Sequence, residues 1–146
     1  MDLIERRSTA LRAQPTLQRL YEILFEDENA LQALYLDVSG LERTVTWGQC
    51  RQKALNAARR LNAENGSGHW IALSLDTCPE WLTMFFAIIL SGNNALLLDP
   101  NAPQELTAYL LRQADAKALV SGHLFGSLGD VREYTVDMLL QDKSKT

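Results

Sequence analysis

Few side chains in this 146-residue sequence have the type and the setting that catalysis requires. Cys78 is predicted at a helix N-terminus, where the helix dipole can lower the pKa of a thiol and activate it. A small buried side chain beside a helix cap is the interpretation that we favour. His69 and His123 have no nearby set of serine, cysteine and carboxylate that would indicate a catalytic triad, so we expect both to be structural or solvated.

Two carboxylates stand near the ends of predicted elements, and they are too isolated to form an acid–base pair. Glu80 falls in the first turn of a predicted helix, where it has a capping role. Asp99 precedes Pro100 at the end of a predicted strand, where a crevice for a ligand forms in open α/β sheets. Shaping of the turn is the commoner role of an aspartate at such a position.

No phosphate-binding motif is present. The eight glycines are scattered, and neither GxxxxGK[ST] nor GxGxxG occurs. Gly122, Gly126 and Gly129 follow a predicted strand, but their spacing differs from that of a dinucleotide fingerprint, in which glycines let the backbone approach the pyrophosphate. A plain loop is therefore predicted there.

A metal site is not indicated either. Cys50 and Cys78 form no CxxC pair, and with the two histidines they lack the spacing of a zinc site. Cys50 lies on an apolar helical stripe, which favours a packing role. The sequence thus predicts no catalytic, cofactor-binding or metal-binding residue in this chain.

Aromatic and basic residues have simple structural interpretations. Trp47, Trp70 and Trp81 lie on different predicted elements among apolar neighbours, so packing in the core is expected for each. The Arg59-Arg60 pair is interpreted as a solvated helix face.

The first predicted elements are a helix and a hairpin. Residues 1–15 are weakly patterned and are interpreted as a docked or frayed leader. Leucines and a tyrosine over 17–24 recur at helical spacing. Residues 33–38 and 42–45 predict a small β-hairpin with its turn at Ser39-Gly40.

A longer helix follows the hairpin. Thr46 and Gln49 have the spacing of a capping box, in which each side chain bonds the backbone N–H of the other residue. Asn65-Gly66 supplies a stop signal. The apolar stripe of this helix consists of Cys50, Ala54, Ala57, Ala58 and Leu61.

Strands and helices then alternate. Residues 70–75 predict a strand, and Thr77 to Glu80 resembles a second capping box with Pro79 in the first turn. The helix from there to Gly92-Asn93 is apolar nearly all round, which is typical of a helix covered on most sides.

The next elements follow the same pattern. Residues 95–98 predict a short apolar strand, and Asn101 is a candidate cap for a third helix with Pro103 in its first turn. Residues 118–120 predict a third strand, and 134–136 one more. The predicted buried side of the third helix consists of Leu106, Tyr109, Leu110 and Ala114.

The order strand–helix–strand–helix–strand predicts the α/β class. Apolar strands without polar alternation indicate a parallel sheet with helices on both faces, right-handed βαβ crossovers, and a helix and small hairpin before it. We assign 1–15 as the leader, 16–140 as one α/β subdomain and 141–146 as a tail or linker.

Composition excludes several classes of function. Apolar residues make up 47% and charged residues 22%, as in ordinary globular proteins. The net charge of −4 argues against nucleic acid as a partner. The most apolar run, 81–90, is shorter than the ~20 residues that span a bilayer. The absence of a signal peptide at the start and the two unpaired cysteines favour the cytoplasm.

Several short motifs occur in a fixed order between Thr46 and Ser121. They are Thr46-Trp47, then Asn56, Ala58 and Leu61, then Ile71-Ala72-Leu73 with Pro79-Glu80-Trp81, then Ala87-Ile88 and Gly92, then Leu98-Asp99-Pro100. Together they resemble the early part of the adenylate-forming (AMP-binding) superfamily, which comprises acyl-CoA synthetases, peptide-synthetase adenylation domains and luciferases. Pro79-Glu80-Trp81 and Glu105-Leu106 look more like acyl-CoA synthetases, including long-chain fatty acid–CoA ligases.

This resemblance implies a function for a larger protein. Such a ligase activates a carboxylic acid with Mg-ATP to an acyl-adenylate and transfers the acyl group to a thiol, commonly coenzyme A. The Ser/Thr/Gly-rich, lysine-ending ATP loop of the family has no counterpart here. The chain is thus interpreted as an N-terminal scaffold, inactive alone, whose partner is the remainder of its own domain.

Three alternatives remain open at this point. The chain could be a free-standing interaction module on the same scaffold, the N-terminal part of an amino-acid adenylation domain, or an unrelated small α/β binding domain. A piece of a larger domain leaves apolar surface uncovered, so self-association through a helix face or a sheet edge is also expected.

Overall fold

The structure, a computed structural model, describes residues 2–141. The predicted tail therefore lies outside the described residues apart from Gln141. The chain divides into two compact units, 1–51 and 52–146.

The first unit begins with two helices. Helix α1 is Leu3–Ala13, and the Asp2 carboxylate caps it by accepting the Glu5 N–H at 2.8 Å. The interpretation of 1–15 as weakly patterned missed this helix, because Arg6 and Arg7 interrupt its apolar residues and none of its residues is buried. Helix α2 is Leu17–Leu24, as the spacing predicted, with Tyr21 and Ile23 buried.

The predicted hairpin is confirmed. Strands β1 (Leu31–Leu36) and β2 (Glu42–Thr46) pair antiparallel. At the turn the Asp37 Oδ1 atom accepts the N–H groups of Ser39 at 2.9 Å and Leu41 at 3.0 Å. Gly40 has a φ of 83°, a left-handed conformation that glycine adopts without a steric penalty.

Helix α3 is Trp47–Asn65, and its predicted capping box is present. The Thr46 N–H donates to Gln49 Oε1 at 3.0 Å, and the Gln49 N–H donates to Thr46 Oγ1 at 3.1 Å. All five residues of the predicted stripe are buried. Gly66 follows the helix with a φ of 77°, as the stop signal predicted.

The second unit contains a four-stranded sheet whose pairs are all parallel. Its order is β4-β3-β5-β6. The strands are β3 (Trp70–Ser74), β4 (Asn94–Leu98), β5 (Ala118–Ser121) and β6 (Arg132–Thr135). The helices are α4 (Pro79–Leu90), α5 (Gln104–Gln113) and α6 (Val136–Leu140). The predicted α/β class is confirmed, although Val136 begins a helix and does not extend β6.

Helices cover both faces of this sheet. Successive side chains of a strand point to opposite faces, so each strand contributes apolar residues to both. On one face Ile71, Leu73 and Val120 pack with residues of α3, α4 and α6. On the other face Ala72 and Leu119 pack with Leu111 of α5. The sheet is therefore buried on both sides, as expected for parallel strands.

Two predicted helix caps are wrong. Cys78 is the N-cap of α4 and makes no side-chain capping bond, so Thr77 to Glu80 is not a capping box. Pro79 occupies the first helical position, and a residue before proline disfavours helical geometry. The cap therefore falls on the extended Cys78. Pro103, not Asn101, is the N-cap of α5.

The predicted buried side of α5 is also wrong. Thr107 and Leu111 are the buried residues, whereas Leu106 is 45% and Tyr109 49% exposed. The apolar residues of α5 occupy a wider part of the helix surface than the part that the sheet covers. Apolarity alone therefore did not indicate which side faces the core.

Candidate functional site

The topology creates one switch point in the sheet. From β3 the chain passes through α4 to β4 on one side, while β5 is followed by β6 on the other side. β3 and β5 are neighbours, with Ser74 paired to Ser121 at their carboxyl ends. Ligands of open α/β sheets bind in the crevice outside such a point, so this edge is the candidate site.

Small hydroxyl side chains occupy this edge. Ser74 and Ser121 are both buried, and Leu98 and Thr135 lie level with them on the outer strands. The Ser121 hydroxyl donates to the His123 carbonyl at 2.6 Å. The Ser121 hydroxyl proton is therefore bonded to the backbone, and this bond fixes the course of the loop that follows β5.

The loop after β5 is organised by a carboxylate. Glu133 of β6 accepts the N–H groups of Phe125 at 2.6 Å and Gly126 at 3.0 Å. The His123 ring lies 4.8 Å from the Phe125 ring. The Phe125 and Gly126 amides are therefore bonded within the protein.

The structure does not bring the candidate chemical residues together. His69 precedes β3 at the amino end of the sheet, whereas His123 follows β5 at the carboxyl end. Asp99 accepts the Asn101 N–H at 2.9 Å, the turn-shaping role favoured above. Burial raises the pKa of the Cys78 thiol, which is opposite to the activation that a helix dipole would give.

A cavity of about 630 Å³ lies at the amino end of the sheet. Its wall includes His69, the C-terminal part of α5 and the 127–131 loop. Arg112 and Lys117 supply positive charge, and Asp115 and Asp130 supply negative charge. The charges are mixed, so the wall favours no single ligand class. Within residues 2–141 no three His, Cys, Asp or Glu residues cluster to hold a metal.

A buried amide that sequence reasoning passed over ties two loops together. The Asn93 Nδ2 atom donates to the Gly66 carbonyl and to Ser91 Oγ, each at 2.9 Å, and its Oδ1 accepts the His69 N–H at 2.9 Å. In the sequence, the only indication of a structural role for Asn93 is its position directly after Gly92, which ends α4. The network fixes the entry into β3 beside the entry into β4.

A second buried network joins β6 to α3. The Tyr134 hydroxyl donates to Glu64 Oε1 at 2.7 Å and accepts from Asn65 Nδ2 at 3.0 Å. Burial and the Glu64 carboxylate raise the pKa of Tyr134. These bonds hold the last strand of the sheet against the second unit's part of α3.

Two structural interpretations from the sequence need correction. Arg60 is not a simply solvated side chain, because its guanidinium donates to the Met138 carbonyl at 2.6 Å and lies over the Tyr134 ring. Trp70 is 44% exposed and is not a core residue. Trp81 does pack as predicted, stacked on Phe85 with ring centroids 5.5 Å apart.

Comparisons with known proteins identify the family to which this chain belongs. Residues 25–145 match the family of AMP-binding enzymes, so the chain belongs to that family. In residues 2–141 no helix is long and apolar enough to cross a membrane.

Among curated relatives, tyrocidine synthase 3 of Brevibacillus parabrevis is 29% identical over 80% of this chain. Tyrocidine synthase 2 of the same organism is 27% identical over 84%. The chain spans 2% of the length of the first relative and 3% of the second.

Solved structures share the fold. The N-terminal subdomain of Klebsiella oxytoca NpsA, in complex with 3-hydroxybenzoyl-AMSN, superposes with a TM-score of 0.67 at 20% identity. O-succinylbenzoate coenzyme A synthetase of Bacillus subtilis, in complex with AMP, gives 0.67 at 18% identity. This chain covers 31% and 32% of those two chains, respectively.

Proposed function

We propose that this chain is the N-terminal scaffold portion of an ATP-dependent acid–thiol ligase. The complete enzyme would convert a carboxylate and ATP to an acyl-adenylate and then transfer the acyl group to coenzyme A. The family match over residues 25–145 carries this proposal. ATP, magnesium and coenzyme A would be bound by the remainder of the domain, and the enzyme would work in the cytoplasm.

The surface of the first unit supports a scaffold role. The hairpin has two strands, and two-stranded hairpins are at best marginally stable on their own. Leu34 and Leu36 of β1 are 61% and 70% exposed on one face. A surface of this kind is typical of an interface, which agrees with further chain packing against it.

The acid substrate has two candidate classes. Pro79-Glu80-Trp81 and Glu105-Leu106 resemble acyl-CoA synthetases, which favours a fatty or aryl acid in acyl-CoA metabolism. The tyrocidine synthases among the relatives favour the alternative, an amino-acid adenylation domain. In that case the thiol acceptor would be a carrier protein. A free-standing interaction module on the same scaffold is the third possibility.

The decisive experiment begins with the coding sequence beyond Thr146. If the ligase proposal is correct, it encodes in frame a Ser/Thr/Gly-rich loop that ends in lysine. The complete protein should then exchange pyrophosphate with one class among fatty, aryl and amino acids. The matched control is the complete protein with that loop lysine changed to alanine.

The outcomes separate the alternatives. Exchange with fatty or aryl acids, followed by coenzyme A thioester formation, supports the acyl-CoA ligase. Exchange with an amino acid and no thioester with coenzyme A supports the adenylation domain. A stop codon directly after Thr146 contradicts the ligase proposal and supports the free-standing module.

A further inference from the structure

Helix α5 has a second apolar side that the fold leaves open. Thr107 and Leu111 face the core, whereas Leu106 and Tyr109 lie about half exposed on the outer side. Tyr109 is the residue nearest the centre of that outer side, because it is one turn from both Glu105 and Arg112. Tyrosine and arginine, which both occur on this side of α5, are enriched at protein interfaces.

Two opposite charges flank this apolar centre. Glu105 and Arg112 are seven residues apart, so they lie two turns apart within about 20° of the same direction. Both are exposed, and within residues 2–141 neither forms an ion pair with another side chain. Each charge therefore has free capacity for a partner.

This pattern is complementary to itself. If a second α5 packs antiparallel across a two-fold axis midway between residues 108 and 109, Glu105 of each copy lies opposite Arg112 of the other. The same operation places Tyr109 near its own counterpart, with Leu106 beside it. A two-fold interface requires this self-complementarity, since every contact occurs twice.

We propose that the outer side of α5 is a homodimer interface, with Tyr109 at its centre and two Glu105–Arg112 pairs between the copies. The interface does not depend on the ligase proposal. One helix of 10 residues buries much less than the ~800 Å² per partner of a stable complex. The dimer is consequently weak, with a dissociation constant between about 10 µM and 1 mM.

Sedimentation equilibrium of the full 146-residue chain tests this proposal. The apparent mass should rise from 16.4 kDa toward twice that value as the concentration approaches ~1 mM. Arg112→Glu and Glu105→Arg should each weaken association about tenfold or more, because like charges then meet twice. The double variant Glu105→Arg/Arg112→Glu restores opposite charges and should recover association to within about threefold.

Two further variants make the result specific. Lys53→Glu is the matched control, because it alters an exposed lysine on α3 and changes net charge as Arg112→Glu does. It should leave association unchanged. Tyr109→Gln should weaken it, with circular dichroism and thermal unfolding establishing that each variant is folded.

Three results would overturn the interface. One is a monomer at every concentration, as expected if the remainder of an AMP-binding domain normally covers α5. Another is a dimer that responds equally to Lys53→Glu and Arg112→Glu. The third is a charge-swapped double variant that associates no better than either single variant.

Discussion

At the scale of single residues, buried polar side chains fix the positions of particular loops and strands through directional hydrogen bonds, which apolar contacts do not provide. Asn93 bonds the backbone of two other positions and a neighbouring hydroxyl, and Tyr134 bonds two side chains of α3. A buried polar group without a partner is destabilising. Such networks therefore favour one arrangement of the surrounding loops over others.

Asn93→Ala should lower the free energy of unfolding by about 2–4 kcal/mol. The substitution leaves the His69 N–H and the Gly66 carbonyl, whose bonds to Asn93 are partly buried, without this partner. Each such group costs about 1–2 kcal/mol, the lower part of the range for unpaired buried groups. Urea unfolding followed by circular dichroism measures the change. Asn94→Ala is the matched control, since Asn94 is exposed. Equal effects from both substitutions would contradict the role of the network.

The hairpin turn should respond to acid through Asp37. Hydrogen bonds from Ser39 and Arg43 lower the pKa of this carboxyl from 3.8 to about 2. A lowered folded-state pKa means that the stabilisation is complete above pH 3.8 and is lost as the pH falls through 2. NMR should therefore show the Ser39 and Leu41 amide shifts of the turn titrating near pH 2.

The control for this titration is Asp37→Asn, which cannot ionise. In that variant the two amide shifts should be flat between pH 4 and pH 2. The Asp37 interpretation would be wrong if the wild-type amides titrated at the ordinary aspartate value, or if they titrated equally in the variant.

At the scale of elements, two successive helices end in the same way. After α4, Gly92 and Asn93 donate back to the carbonyls of Ile89 and Ile88. After α5, Asp115 and Ala116 donate back to the carbonyls of Arg112 and Leu111. Both are Schellman motifs, which place Gly92 and Asp115 in the left-handed conformation, with φ of 85° and 52°.

Gly92→Ala should destabilise the chain by about 1–2 kcal/mol from its backbone conformation alone. A further penalty arises because the new Cβ would lie 2.9 Å from the Ser67 Cβ. Thermal unfolding measures the total. The same substitution in a Ser67→Gly background should recover the steric part. If it recovers nothing, the contact with Ser67 is not a source of the loss.

Asp115→Gly should have the opposite effect and stabilise the chain by about 0.5–1 kcal/mol, because glycine adopts this conformation without strain. Asp115→Ala keeps a Cβ and is the matched control. Urea unfolding of the two variants should show a gain for glycine and none for alanine. A loss of stability with glycine would show that the Asp115 side chain has a stabilising role.

At the scale of the whole molecule, the chain on its own should be inactive. Binding of ATP needs backbone N–H groups and a positive side chain around the phosphates, with a bound metal. The sequence has no glycine-rich loop that ends in lysine. Calorimetry with Mg-ATP should therefore show no saturable binding, and pyrophosphate exchange should not exceed that of a heat-denatured sample. Saturable binding would contradict the scaffold interpretation.

Much of the fold was predictable because local chemistry and global packing agree. Apolar strands such as 118–120 exclude the polar alternation of a half-exposed sheet, and they alternate with helices. Thr46 and Gln49 are three residues apart, so their capping bonds depend on local geometry alone. The AMP-binding family was indicated in the same way, by short motifs in order along the chain.

The tertiary structure decided what depends on distant partners. The Asn93 network links residues that are more than 20 positions apart, and no local pattern indicates such a pairing. The exposed side of α5 depends on how far the sheet extends beneath it, so Leu106 and Tyr109 could not be assigned from apolarity. The sequence determined the elements other than α1 and α6 because these follow from local preference, and it indicated the family through the order of its motifs. Burial and pairing are properties of the assembled chain.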